Sequence, residues 1–473
     1  MSLDTSKIKT LTPSQFITFT IPNPIPHPTA RHCYLRSPVL RVALLDSPIV
    51  TSDGDVPLIA AMVVPGHRES DWIFSTESGH FQLLFNFSNV SRLVLIGNNP
   101  PPNSEPSIYV RPPVTDTVDK EKLEDELKPL VIALHPVECF QNGLPEPVFL
   151  TYEDTTLYRV TINRSVGPFV GEFLVEDVEV ESNVDCNKDL RRRLRFKRMP
   201  NLIQSEIPLI PTVGNVVGNL GLDLPSLRKM NEVKFRVDTG VLIQPYLTAM
   251  VSGLFLIVSL LDRRMKQGFI PRALCLGVGG GALLSFLNTR LGFEVVGVEA
   301  DEVVLSVARQ YFGLNDRNSI RLILGDAIEL IEKAASRRTK GDTHDLQVNI
   351  DCLNAKFDVV MVDLDSSDAR TGISAPPPEI VRKPVFQAAR SVLHDHGVFV
   401  INVVPPDERF YVTLIQELQD VFHKVHEINV ENEDNFVLVG TVSPIASNDH
   451  DNALSRRLRC AISGASIDSI MEL

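Results

Sequence analysis

Closely spaced cysteine pairs are missing from this sequence. Its six cysteines, Cys33, Cys139, Cys186, Cys275, Cys352 and Cys460, are scattered without a Cys-x-x-Cys. A disulfide framework or structural zinc site needs closer or more regular spacing, so a reducing compartment is expected and no metal centre. A surplus of cations is missing too. The 46 Lys+Arg stand against 59 Asp+Glu, a formal net charge of −13. Phosphate neutralisation needs the opposite balance, which argues against a general nucleic-acid binder. An acidic surface suits a basic protein partner or a cationic cofactor. Long hydrophobic runs are absent as well. The most apolar stretch, Met250 to Leu261, covers about 12 residues and is interrupted by Ser252, Gly253 and Ser259, where a membrane span needs ~20. Met1-Ser2-Leu3-Asp4 opens no charged-then-apolar leader. The expectation is a soluble cytoplasmic protein with no membrane partner.

What is present is the balance of a globular chain, 44% hydrophobic and 22% charged over 473 residues. That length predicts two or three domains at ~100–200 residues each. Residues 1–206 read as a β-rich domain. Short apolar runs (Leu40–Leu45, Leu58–Val64, Leu93–Ile96, Phe149–Tyr152) alternate with turn formers. Proline clusters at Pro22, Pro24, Pro26 and Pro28, and at Pro100, Pro101, Pro102, Pro112 and Pro113, mark connections or edges, since proline lacks the N–H a sheet interior uses. Strands are expected at Gly171–Val180 and Leu190–Met199. In the second, Leu194 and Phe196 alternate with arginines, which reads as a strand with one solvated face rather than a targeting signal. Residues 207–240 read as a connector rich in Pro, Gly and Asn.

From 241 to 445 the texture changes to alternating strands and helices, which implies a mostly parallel sheet covered by helices. Strands are expected at Ala273–Leu276, Glu294–Val298, Ile320–Leu324, Phe357–Val362 and Val398–Val403. Lys424–Val430 and Phe436–Val442 then close the sheet as an antiparallel hairpin. Residues Arg337–Ala355 read as a surface excursion, and 446–473 as a tail with one amphipathic helix.

The chemistry concentrates at strand ends. Ala273–Leu276 runs into Gly277-Val278-Gly279-Gly280-Gly281-Ala282 and then a helical pattern. Glycines there allow a tight turn and let backbone N–H groups approach a ligand. Gly277-x-Gly279-x-x-Ala282 fits a dinucleotide fingerprint, and Gly277-x-Gly279-x-Gly281 fits an S-adenosylmethionine loop. The second strand ends in Glu299, placed to grip ribose hydroxyls in either case. Gly325-Asp326-Ala327 follows the third strand, where a carboxylate can meet an adenine amino group. Asp363 ends the fourth, with Asp365 two residues on. Each aspartate alone could be a helix cap or turn residue. Together they suit a cationic sulfonium and oppose a pyrophosphate, which favours S-adenosylmethionine. The loop after Asp363 continues into Ser374-Ala375-Pro376-Pro377-Pro378, a stiff segment read as a pocket wall.

These residues resemble a known group. Arg272 to Gly281, Val298-Glu299-Ala300-Asp301, Gly325-Asp326-Ala327 and Phe357 to Asp363 are similar to the spermidine-synthase-like branch of class I methyltransferases. Asp365-Ser366-Ser367-Asp368, Ser374 to Pro378, Asn201 to Glu206 and Val63 to Phe74 narrow the resemblance. They resemble the C-terminal half of the methyltransferase-like protein 13 family, the elongation-factor-1-alpha lysine and N-terminal methyltransferases. The resemblance implies a Rossmann-like class I fold behind a smaller β-rich domain, with S-adenosyl-L-methionine as cofactor. It implies a protein substrate, elongation factor 1-alpha, methylated on an amine. Such families usually carry two methyltransferase domains, and this chain holds one glycine loop of that kind. Carried over by position, Gly277, Gly279 and Gly281 would contact the methionine part, Glu299 the ribose, and Asp326 with Ala327 the adenine. Asp363 matches an aspartate that accepts a proton from the attacking amine, with Asp365 as the other acidic candidate. Tyr246 falls near the substrate-facing segment. A polyamine (aminopropyl) synthase, a dinucleotide-dependent oxidoreductase and a catalytically silent scaffold stay open as alternatives.

Overall fold

The computed structural model describes residues 7–25, 35–49, 56–87, 89–99, 108–112, 117–141, 143–182, 188–213, 216–217, 222–230, 233–315, 319–340, 353, 355–365, 368–371, 375–430, 435–445, 451–462 and 467–473. By contact the chain divides into two units. One takes Met1–Ile162, Val178–Asp189 and Lys197–Leu202; the other takes Asn163–Asp177, Leu190–Phe196 and Ile203–Leu473.

The first unit holds strands β1 (Phe16–Pro22), β2 (Val39–Asp46) and β3 (Leu58–Val63), helices α1 (Trp72–Ser75) and α2 (Glu77–Phe85), strands β4 (Val90–Asn98) and β5 (Ile108–Val110), helix α3 (Thr117–Ala133) and strand β6 (Val148–Leu150). Five strands form a mixed sheet in the order β1-β2-β4-β3-β6, with β3 parallel to both neighbours. Period-two alternation sends Leu40, Val42 and Leu44 to a core shared with Leu127 and Val131 of α3. Ala43 and Leu45 turn to the opposite core, with Phe81 and Leu84 of α2. The unit is therefore a sheet with helices on both faces. Helix α3 escapes sequence reading because only Leu123 is uncharged between Lys120 and Glu126, and Pro129 falls inside the helix. The Val63–Phe74 stretch is structural here. Arg68, only 3% exposed, pairs with Asp71 at 2.8 Å and with Asp154, among the rings of Phe74, Tyr109 and Tyr152.

Strands β7 (Thr156–Gly167), β8 (Gly171–Glu181) and β9 (Lys188–Phe196) contribute residues to each unit. The division therefore does not fall at the expected boundaries of 206 and 240. The expected connector contains much of β10 (Ile203–Val213), β11 (Val216–Val217), helix α4 (Leu224–Lys229) and β12 (Val233–Val237). Its prolines mislead, because Pro208 and Pro211 sit inside β10 opposite Arg191 and Phe235. The β9 arginines do not form a solvated face. Arg192 pairs with Asp177 at 2.7 Å, Arg193 with Glu206 at 2.5 Å and Arg195 with Glu176 at 2.7 Å, each carboxylate buried. Alternation alone cannot reveal that neighbouring strands bring acids to meet them.

The rest of the second unit comprises α5 (Pro245–Ser252), α6 (Val258–Lys266), β13 (Arg272–Leu276), α7 (Ala282–Leu291), β14 (Glu294–Glu299), α8 (Glu302–Tyr311), β15 (Ile320–Leu324), α9 (Ala327–Lys340), β16 (Phe357–Val362), α10 (Lys383–Val392), β17 (Leu393–Val403), α11 (Glu408–Gln419), β18 (Lys424–Asn429), β19 (Phe436–Thr441), α12 (Ala453–Ala461) and β20 (Ile470–Glu472). Its eight-stranded sheet runs β15-β14-β13-β16-β17-β19-β18-β20. The first five strands are parallel and β19 is antiparallel to both β17 and β18. Ala273 and Cys275 face a core with α5, α7 and α12, and Leu274 and Leu276 face one with α9, α10 and α11. Residues 446–473 are more than a tail, since α12 packs its Leu454 and Leu458 into the first of these cores and β20 pairs with β18. The stretch Pro245–Lys266 is long and apolar enough to cross a membrane, and 72% of its most apolar window is buried inside the unit. The hairpin turn at 431–434, most of the 337–355 excursion, and Cys33, Cys186 and Cys352 lie outside the described residues.

Candidate active site

Register aligns the expected site. Leu276 of β13 lies level with Val298 of β14 and Val362 of β16. Val362 in turn is level with Ile401 of β17, and Glu299 with Leu324 of β15. Gly277, Glu299, Asp363 and Asn402 therefore lie side by side at the carboxyl edge of the sheet, where open α/β sheets bind ligands. Backbone bonds lock the junctions, Gly277 N donating to Val298 O at 3.0 Å and Asp363 N to Leu276 O at 2.9 Å.

The glycine loop cannot carry side chains. Gly277 has φ +92°, and a Cβ there would lie 2.1 Å from the Asp363 carbonyl oxygen. Gly279 and Gly281 also have positive φ, at +52° and +79°. The N–H groups of Val278 and Gly279 donate to Glu299 Oε2 at 3.2 Å each, and Gly280 N–H donates to Ser205 Oγ at 2.7 Å. Glu299 Oε1 accepts from Ala300 and Asp301 N–H. Burial raises the Glu299 carboxyl above its ordinary value, opposed by these backbone donors.

Two elements supply donors to Asp363. Tyr246 Oη donates to its Oδ2 at 3.2 Å from α5, and Asn402 Nδ2 donates to its Oδ1 at 3.2 Å from β17. Burial pushes the Asp363 carboxyl up to about 6; the Asn402 and Tyr246 donors oppose the rise and Asp365 adds to it. The Tyr246 hydroxyl is raised well above its ordinary value by burial and by Asp363. Asp365 accepts from Gln204 Nε2 of β10 at 3.2 Å. Gln244 Nε2 donates to the Ile203 carbonyl at 3.0 Å, tying β10 to the Tyr246 segment. Tyr246, Asp363 and Asp365 thus come together with the glycine loop and Glu299.

Asp326 is exposed and caps α9, accepting from Glu329 N–H at 2.8 Å, with Ala327 buried next to it. Among the described residues no hydrogen bond joins Asp326 to Glu299 or Asp363. Asp301 is fully buried and caps α8 through Val303 N–H, while its Oδ2 accepts from Phe169 and Val170 N–H of the β7–β8 turn. Ala375 is bridged to Val404 at the end of β17, which fixes the start of the triproline segment; 366–367 and 372–374 lie outside the described residues. Sequence reasoning gave no role to Gln204, Ser205, Gln244 or Asn402. The signal for Asn402 is an amide in the otherwise apolar Val398–Val403 strand.

The strand order, the reversed β19 and the glycine loop at the carboxyl edge define a class I methyltransferase fold. The chain is similar to the eEF1A lysine and N-terminal methyltransferases of Xenopus laevis (27% identity, 80% of this chain, 50% of the relative) and Danio rerio (28%, 80% and 50%). It spans about half the length of the curated relatives it matches. Among solved structures, human methyltransferase-like protein 13 in complex with SAH is 25% identical, covering 46% of this chain and 91% of that one, with a TM-score of 0.39. No family model matches.

Proposed function

We propose that the second unit is an S-adenosylmethionine-dependent protein N-methyltransferase acting on an α-amine, with the amino terminus of elongation factor 1-alpha as acceptor in the cytoplasm. The curated relatives support the class of reaction, and the residues at the edge fit the cofactor. The glycine loop and Glu299 lie together at the carboxyl edge, and Glu299, Asp363 and Asp365 supply negative charge suited to a sulfonium. Gly277, Gly279 and Gly281 would hold its methionine part, Glu299 its ribose, and Asp326 with Ala327 its adenine. When bound, that group supplies an electrophilic methyl.

The observation that carries the reading is Asp363. An ammonium has no lone pair to attack with, so a base must take its proton. An ordinary aspartate near 3.9 lies ~4 units below an α-ammonium near 8. Asp363, raised to about 6, roughly halves that gap, whereas a lysine ammonium near 10.4 would leave ~4 units. A base near 6 takes a proton from an α-ammonium more readily than from a lysine ammonium, which fits an amino terminus as acceptor. Asp365, held by Gln204, adds a second negative charge to attract the ammonium. The test offers labelled S-adenosylmethionine and two synthetic peptides with the acceptor's amino-terminal sequence, one free and one acetylated. Label on the free peptide alone is expected. Equal label on both, or none on either, overturns the reading.

A further inference from the structure

One polar contact at the site runs away from Asp363. Asn402 is 5% exposed, and its amide has two neighbours of opposite character. Its Nδ2 faces Asp363 Oδ1 at 3.2 Å, and its Oδ1 accepts from Asn435 Nδ2 at 3.0 Å. Asn435 directly precedes β19, the reversed strand whose Val437 lies opposite Asn402 in the sheet. An amide can sit either way round in a given space, and the hydrogen bonds decide which. Turned over, Asn402 would set its oxygen against an ionised carboxylate and its NH2 against another NH2. Both contacts would be repulsive. Asn435 thus selects the orientation in which Asn402 donates to Asp363. Tyr246 supplies a donor to the other carboxylate oxygen, so each oxygen of Asp363 has one fixed partner.

We infer that Asn402 and Asn435 are positioning residues, Asn435 acting through the Asn402 amide to orient Asp363 and to favour its ionised form. The inference rests on the reading of Asp363 as the proton acceptor for its catalytic meaning. The contact itself is independent of that reading. The titratable groups facing Asp363 are Asp365 on its own segment, Tyr246 from α5 and Cys275 from β13, and burial raises the Cys275 thiol above its ordinary value.

The test uses the full chain with carbon-13-labelled aspartate, following the Asp363 carboxyl resonance with pH and assigning it by its loss in Asp363→Asn. Removing a donor to a charged group should raise the midpoint by about one unit. Asn402→Leu should do this directly. Asn435→Leu should do it in the parent and add nothing in the Asn402→Leu background, the mark of a shared route. Asn435→Gln, which keeps an amide donor, should restore most of the parent midpoint. In parallel, the acid limb of kcat/KM should move with the resonance while the KM for the cofactor holds. Should the methyltransfer reading be wrong, the resonance still moves and only the kinetic limb is lost. An unshifted resonance in Asn435→Leu, or an equal shift in both backgrounds, overturns the inference.

Discussion

Replacing Gly277 with alanine tests the site's geometry through stability alone. Two costs act there. The backbone holds φ +92°, which an L-residue with a Cβ resists by about 1–2 kcal/mol. The added methyl would also lie 2.1 Å from the Asp363 carbonyl oxygen and 3.1 Å from Leu364 Cδ2. The oxygen belongs to the backbone, so it cannot swing aside as a side-chain tip would. Displacing packed backbone costs about 1–3 kcal/mol more, for a total of about 2–5 kcal/mol. Gly292 separates the terms, because it has φ +77° with nothing within 4 Å of its Cβ position. Gly292→Ala should therefore lose only the conformational part. Urea unfolding of the parent and both variants measures the difference directly. Calorimetric titration of S-adenosylhomocysteine should also show weakened binding for Gly277→Ala alone, because moving Asp363 disturbs the edge. If the two variants lose equal stability, the close approach between the loop and the Asp363 segment is not there.

Asp363→Asn should lower methyl transfer by about two to four orders of magnitude, the scale of a lost acid–base group, as read by labelled-methyl assay. The same variant should be the more stable protein at pH 8. Asp363 binds its proton more tightly folded than unfolded, at about 6 against 3.8. The parent therefore loses stability as pH rises from about 4 to 6 and stays level above. The gain for asparagine is about 2 kcal/mol by urea unfolding at pH 8, discounted because one face of Asp363 meets water, and it fades by pH 4. Asp301→Ala removes the α8 cap and the acceptor for Phe169 and Val170 N–H. It should cost about 2–4 kcal/mol in the same assay, and a loss below 1 kcal/mol would show that the β7–β8 turn is held by other contacts.

The parallel sheet of the second unit is legible in the sequence because its strands are mostly apolar and three of them stop at a chemically distinct residue. Leu276 gives way to Gly277, Val298 to Glu299 and Val362 to Asp363. Strand ends in a parallel sheet share one edge, so residues remote along the chain can be placed together from their order alone. What escapes is whatever depends on a partner strand. Asn402 looks like one polar interruption until β16 puts Asp363 beside it. The β9 arginines look exposed until β8 and β10 bring Asp177, Glu176 and Glu206 to them. Prolines in β10 and charges in α3 hide true elements, since local propensity is a weak prior that packing overrides. Asp326 also caps α9 through Glu329 N–H, a local role that the order of strand ends does not reveal.

The pairing of β20 with β18 changes how this molecule can be handled. His426, Glu427 and Ile428 lie opposite Glu472, Met471 and Ile470, and Leu473 N donates to the Val425 carbonyl at 3.0 Å. Without that short ribbon, β18 would present a bare row of amides and carbonyls, a template for a foreign chain to zip onto. A bulky group placed against this rim would compete with the short ribbon that β18 pairs with.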